Sequence, residues 1–272
     1  MKAEQRLFRE ALDHIGKNWA KGKLTRGKLI QNVRHITRSM ARQGIQHIGH
    51  MKTKHMDRFF DELKARGLAP STLQNYATAC RDLAASIGKP SLISGKNADL
   101  GITRHDRYQP IHANHAKLAS IREQLSIRDE RLLAAYDLRE AFGLRSKESL
   151  LSREVVERDG KAFLKVEGAK GGRPRLVEIE TDQQRRAIEQ VQHIIEESGT
   201  KSLIPRDMDL KTFYDYQRNT ISALGVRRAD GSNMHAQRHD FAQREVGKGK
   251  ASGEVQDKLG HGKQRTLRHY VP

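Results

Sequence analysis

Cysteine occurs once in the 272 residues, as Cys80, and tryptophan also occurs once. One thiol excludes an internal disulfide framework and any zinc finger built on cysteine pairs. It fits a reducing cytoplasm, with Cys80 serving as a small buried apolar residue. No apolar run approaches the ~20 residues that a membrane span needs, so an integral membrane protein is not expected. The first twenty residues are charged and amphipathic, without the apolar centre of a signal peptide, so secretion is not expected either. Glycine-rich phosphate loops are missing: neither G-x-x-x-x-G-K-[ST] nor G-x-G-x-x-G occurs, which leaves nucleotide hydrolysis unsupported.

What the chain has in excess is positive charge. Its 51 Lys and Arg against 33 Asp and Glu leave a formal net charge of +18, which calls for a polyanionic partner. Residues 1–100 carry +11 of it and residues 101–272 carry +7. Nucleic acid is the leading candidate, because Lys and Arg that neutralise phosphates supply most sequence-independent affinity. A membrane surface fits less well, since the basic residues gather in no single tail or amphipathic helix.

Periodicity organises the chain into two parts. Leu7, Phe8, Leu12, Ile15 and Trp19 share a helical face over residues 4–19, and Leu29, Val33, Ile36 and Met40 share one over 23–42. A third helix is expected over 52–66. A fourth begins at Pro70 and carries Leu73, Tyr76, Ala79, Leu83 and Ile87. Residues 1–90 therefore read as a small helical bundle. Residues 91–113 lack periodicity and read as an interdomain linker. In 114–272, helices are expected at about 114–125, 128–142, 182–197, 209–223, 234–247 and 252–259. Apolar–polar alternation at 153–157, 161–167 and 174–180, punctuated by Asp159-Gly160 and Lys170-Gly171-Gly172, predicts a three-stranded antiparallel meander. The fold class is mainly α with a small antiparallel β-sheet.

Two short motifs carry little weight. His47-Ile48-Gly49-His50 spells a synthetase signature, but no strand precedes it. His235 and His239 stand four apart like metal ligands, yet no third ligand completes the set. A dispersed set in the second part is more coherent: Arg145, Glu148, Lys170, His235, Arg238, His261 and Tyr270. Around these residues the chain resembles the tyrosine recombinase (phage-type integrase) family. The family's first arginine motif appears as Ala141-Phe142-Gly143-Leu144-Arg145-Ser146-Lys147-Glu148-Ser149-Leu150, and its hairpin lysine motif as Gly168-Ala169-Lys170-Gly171-Gly172-Arg173-Pro174-Arg175-Leu176-Val177. The H-x-x-R box is Met234-His235-Ala236-Gln237-Arg238-His239. Leu259-Gly260-His261 follows, with Tyr270 nine residues later. Taken singly, each residue has a structural reading as a cap, a turn lysine or a polar helix face; four blocks in order do not.

The resemblance implies a helical core-binding (SAM-like) domain over 1–90 and a catalytic domain over 114–272, closing together as a DNA clamp. It implies a site-specific recombinase that cuts and rejoins strands through a 3′-phosphotyrosyl intermediate, integrating or excising a phage or mobile element. Its partners are double-stranded attachment sites, a homotetramer on paired DNA and accessory DNA-bending proteins. No membrane, cofactor or metal is called for, and the setting is a bacterial or phage-encoded, nucleoid-associated cytoplasmic protein. The chemistry suits the residue types. Arg145 and Arg238 can clamp the non-bridging oxygens, and a histidine donor (His235 or His261) adds a hydrogen bond. Tyr270 provides the nucleophile, Lys170 the proton for the departing 5′ oxygen, and Glu148 a supporting contact to Arg145 or His235. Arg173 and Arg175 read as phosphate or carboxylate contacts, and either could stand in for Lys170 as the acid. A DNA-binding architectural protein and a type IB topoisomerase are the alternatives.

Overall fold

The computed structural model describes residues 2–16, 23–103, 110–168, 174–261, 267, 270 and 271. The chain divides into two compact units, Met1–Arg107 and Tyr108–Pro272. The first holds α1 (Ala3–Ile15), α2 (Lys23–Arg42), α3 (Thr53–Ala65) and α4 (Pro70–Ser86). Their apolar stripes meet in a core that includes Leu7, Val33, Ile36, Met40, Phe59, Phe60, Tyr76 and Leu83. Cys80 is buried in this core, and burial pushes its thiol well above the ordinary range. No helix of the described residues is long and apolar enough to cross a membrane.

Two expectations change here. The first helix stops at Ile15, capped by the Gly16 N–H on the Leu12 carbonyl, and Trp19, read on its apolar face, lies outside the described residues. The stretch read as linker is partly packed: Leu92, Ile93 and Ile102 are buried in the first unit's core. Its regular pieces are the three-residue 3₁₀ turns Pro90–Leu92 and Ala98–Leu100, too short to show a period.

The second unit runs α5 (His115–Ser126), α6 (Glu130–Phe142), α7 (Ser146–Leu151), β1 (Glu154–Arg158), β2 (Lys161–Val166), β3 (Arg175–Glu178), α8 (Asp182–Ser198), α9 (Leu210–Ala223), α10 (Ala236–Gly247) and α11 (Ser252–Leu259). The sheet is the expected meander in the order β1-β2-β3, with Val155 opposite Leu164 and Leu164 opposite Val177. Helix α7 was not expected. Its six residues span less than two turns and show no period. At the centre lies α6, with Leu132, Ala134, Ala135, Tyr136, Leu138 and Phe142 all buried. A smaller cluster of Phe241, Ala242, Val255, Leu259 and Leu267 joins α10 to α11, with Tyr270 and Val271 packed on it.

Gly143 ends α6 at φ +62, where a Cβ would stand 2.5 Å from Cδ1 of buried Phe241 and 3.1 Å from Leu259. Both the backbone conformation and the space require glycine. Gly143→Ala is expected to lower unfolding free energy by about 2–4 kcal/mol, combining left-handed strain with overpacking. Urea titration followed by circular dichroism measures it, and a loss below about 1 kcal/mol would contradict this packing.

Candidate active site

The reversal at Gly143 and Leu144 places Arg145 at the N-cap of α7. Glu148, three residues into that helix, reaches back: Oε2 accepts from the Arg145 backbone N–H at 2.8 Å and Oε1 from Arg145 Nη1 at 2.7 Å. This is the carboxylate half of a capping box, at a helix end whose dipole favours negative charge. Glu148 is fully buried, and Arg175 from β3 grips the same carboxylate through Nη1 at 3.2 Å and Nη2 at 3.0 Å. Arg238 from α10 stands 4.0 Å away. Burial alone would raise the Glu148 carboxyl. The hydrogen bonds and charges of Arg175 and Arg145 outweigh it and hold the group down at about 2.

Arg238 is 1% exposed. Its Nη1 donates to the Gly143 carbonyl at 2.6 Å, and its Nη2 donates to the Leu259 carbonyl and stands 3.0 Å from Nε2 of His261. Burial pushes this guanidinium down to about 10, still charged at neutral pH. Arginine only donates, so His261 Nε2 accepts and the ring proton sits on Nδ1. Burial, then the charges of Arg238, Arg145 and Arg175, hold His261 at about 3, so it is a neutral N–H donor across physiological pH. Among the described residues that buried Nδ1 has no partner, and neither has the buried Nε of Arg238.

Tyr270 lies against this group. Its ring centroid is 4.9 Å from His261, 4.4 Å from His239 and 5.5 Å from Cζ of Arg238. Gln243 on α10 seats its backbone, donating from Nε2 to the carbonyls of Tyr270 (2.9 Å) and Ile111 (3.1 Å). His235 stands exposed at the head of α10. The surrounding protein, then the charges of Arg238, Arg139 and Arg145, lower its pKa.

The structure thus gathers Arg145, Glu148, Arg238, His261 and Tyr270, with His235 at the rim. Glu148 joins Arg145, and among the described residues no bond joins it to His235. Lys170 and Arg173 lie outside the described residues. Arg175 is a carboxylate contact, one of the readings open for it. Sequence reasoning missed Arg139, 1% exposed on α6, which donates from Nη1 to Ser146 Oγ at 3.2 Å beside Arg145. An arginine among Leu138 and Ala141 on a buried face was the available signal.

Two family models match the chain. One, described as Integrase, covers residues 110–244, and one described as Phage integrase, N-terminal, covers residues 6–93. The chain belongs to the tyrosine recombinase family. The match to the catalytic part of the family spans Arg145, Glu148, Lys170, His235 and Arg238 and ends before His261 and Tyr270. Solved structures of the family share the recombinase fold. XerH bound to its difH substrate aligns at TM-score 0.65 and 18% identity, over 92% of this chain and 76% of that one. A lambda integrase tetramer on a Holliday junction gives 0.67 and 16%, over 100% and 78%. Lambda integrase residues 75–356 bound to DNA give 0.68 and 14%, over 98% and 96%. No curated protein matches the chain in sequence.

Because Glu148 is fully buried and its carboxyl lies far below the ordinary value of 4.5, at about 2, it ties this recombinase's stability to pH. A depressed carboxyl contributes in full above its unfolded value, and the contribution vanishes as pH falls through the folded one. That contribution is on the order of 3 kcal/mol, lost between about pH 4.5 and pH 2. Glu245, also held at about 2, titrates in the same window. Glu148→Gln should therefore be less stable at pH 7 and show a shallower, though not flat, loss between pH 4.5 and 2. Urea unfolding at a series of pH values gives the comparison; an unchanged slope would contradict the buried carboxylate's role.

Proposed function

We propose that this recombinase is a site-specific DNA strand transferase that works through a 3′-phosphotyrosyl intermediate, with Arg145, Lys170, His235, Arg238, His261 and Tyr270 as its catalytic residues. The observation that carries the reading is the placement of Tyr270 beside Arg238 and His261 within one chain. A phosphodiester seated against Arg145 and Arg238 meets two guanidinium groups and the N–H of His261, a donor set suited to the charge that grows on the non-bridging oxygens. The Tyr270 oxygen attacks phosphorus and the bond to the 5′ oxygen breaks. Lys170 supplies the proton to that oxygen, and His235, neutral at its lowered pKa, is suited to take the phenol proton. Attack by the 5′ hydroxyl of another strand reverses the step and restores the phosphodiester without ATP.

The net charge of +18 supports duplex DNA as the substrate. The phage-integrase match over 6–93 supports the first unit as a second DNA-gripping module. Solved relatives include a tetramer on a Holliday junction, which supports a homotetramer acting on paired attachment sites. Integration or excision of a phage or mobile element, aided by DNA-bending proteins, is the role that fits.

A pool of nicked duplexes with a randomised centre serves as the probe, since adducts trapped on a denaturing gel also report the preferred sequence. Wild type is expected to form a covalent adduct at the 3′ end of the cut strand. Tyr270→Phe should bind the recovered duplex equally well and form none. An adduct that persists in Tyr270→Phe moves the nucleophile to another tyrosine, and a wild type that forms none leaves an architectural DNA-binding protein. Affinity for the recovered duplex should fall by roughly 10³-fold or more between 50 and 200 mM salt.

Lys170→Ala should slow cleavage by about 10²–10⁴-fold, the usual worth of a general acid. A substrate with a 5′-phosphorothiolate at the cut position needs no proton on its leaving group, so it should restore the rate. If the variant stays equally slow on that substrate, Lys170 holds DNA and is not the acid.

A further inference from the structure

We propose that Arg175 is a positioning residue for strand cleavage: its guanidinium fixes Glu148, and through Glu148 Arg145, while gripping the end of α11 that leads into His261. The proposal rests on the strand-transfer reading above and adds to it a residue outside the assigned set.

The geometry separates holding protein from holding DNA. Nη1 and Nη2 of Arg175 meet the two oxygens of Glu148 at 3.2 and 3.0 Å, and Nε donates to the Lys258 carbonyl at 2.7 Å. The side chain is 8% exposed. All three nitrogens are thus committed inside the protein, whereas Arg145, 27% exposed, spends only Nη1 on Glu148. A phosphate ligand has to keep a donor nitrogen uncommitted: Arg145 does, and so does Arg238 at its Nε, whereas Arg175 does not.

The end of α11 is shaped around it. At Gly260, φ is +65 and a Cβ would sit 2.8 Å from Nη1 and 3.1 Å from Cδ of Arg175. Only glycine lets the backbone approach this closely. The carbonyl before Gly260, that of Leu259, accepts from Arg238, and the one before that, of Lys258, accepts from Arg175. One short segment therefore receives both arginines and leads directly into His261. Lys258 is itself anchored, its Nζ lying 2.9 Å from both Glu180 and Glu245. Arg175 also opens β3, so it connects the strand that follows the Lys170 segment to the arginine pair. Lysine cannot replace it, because one ammonium does not supply three donors in fixed directions.

The test uses the full chain, the duplex recovered from the randomised pool, and the variants Arg175→Met, Arg175→Lys and Glu148→Gln. Arg175→Met should lower single-turnover cleavage by about 10²-fold, the scale of a misplaced clamp. Its Kd for the same duplex should stay within about threefold of wild type. Arg175→Lys should restore only a minor part of the rate. The double variant Glu148→Gln/Arg175→Met should be no slower than the slower single variant, because both changes break one linkage. The groups facing Glu148 are Arg145 from α7, Arg175 from β3, Arg238 from α10 and the neutral His261 after α11. Without Arg175 the buried carboxyl loses its largest opposing partner. Cleavage by Arg175→Met should then fall as pH is lowered over a range where wild type holds constant, a profile that a general packing defect would not produce.

Cleavage by Arg175→Met within threefold of wild type would overturn the proposal. So would a loss that multiplies with that of Glu148→Gln, or a loss confined to Kd. If Arg175→Met does not fold by circular dichroism, Arg175→Lys with its preserved charge decides by the same criteria. A wild type that forms no adduct sinks the strand-transfer reading itself. A reactive wild type with an unaffected Arg175→Met sinks only the positioning role.

Discussion

The buried carboxylate of Glu148 is the constraint on which the second unit depends. Three guanidinium groups from α7, β3 and α10 converge within 4.0 Å of it. Such a group of cations repels itself, and an unpaired charge in the interior is strongly destabilising. One carboxylate with no exposure gives all three a shared partner and joins elements that are distant in the chain. The sharing sets its ionisation: burial pushes the carboxyl up, and the arginines pull it further down.

Further donors of Arg238 and Arg175 go to helix ends. Gly143 follows the last residue of α6, and Lys258 and Leu259 are the last two of α11. The final carbonyls of a helix have no partner within it and carry the negative end of its dipole. Arg238 takes the carbonyls of Gly143 and Leu259, and Arg175 takes that of Lys258. The same bonds that terminate two helices therefore aim two arginines. Gly143 and Gly260 make this feasible, since each turns through positive φ in a place where a Cβ would strike a neighbouring side chain.

The helices with clean periodicity, α2, α3, α4 and α8, were legible in the sequence because each buries one stripe. The meander was legible from alternation and from the Asp159-Gly160 turn. Helix α7 was not, although it carries Glu148, because six residues leave no repeat to detect. The packing of Leu92, Ile93 and Ile102 was hidden for the same reason. Within the site, Arg145, Glu148, Arg238, His261 and Tyr270 were found through ordered motifs, and the structure brings those five together. Arg175 carried a double reading as phosphate or carboxylate contact. What separates the two is whether its nitrogens are spent inside the protein, a property of the tertiary structure that no spacing encodes. Arg139 and Gln243 act through contacts of the same kind, with Ser146 and with the Tyr270 carbonyl.

Three arginines against one carboxylate leave the cluster with a surplus of about two positive charges, since His261 is neutral. On the proposed strand-transfer reading, a phosphodiester would bring one negative charge, and the five-coordinate species formed by attack of Tyr270 would bring two. On that reading the surplus would match the transition state better than the substrate, the condition under which binding energy accelerates a reaction rather than merely tightening a complex. A protonated His261 would have raised the surplus and further destabilised the buried cations. Neutral, it contributes a directed N–H without a charge. The burial and the neighbouring arginines that hold its pKa near 3 are thus part of the same arrangement that keeps Glu148 ionised.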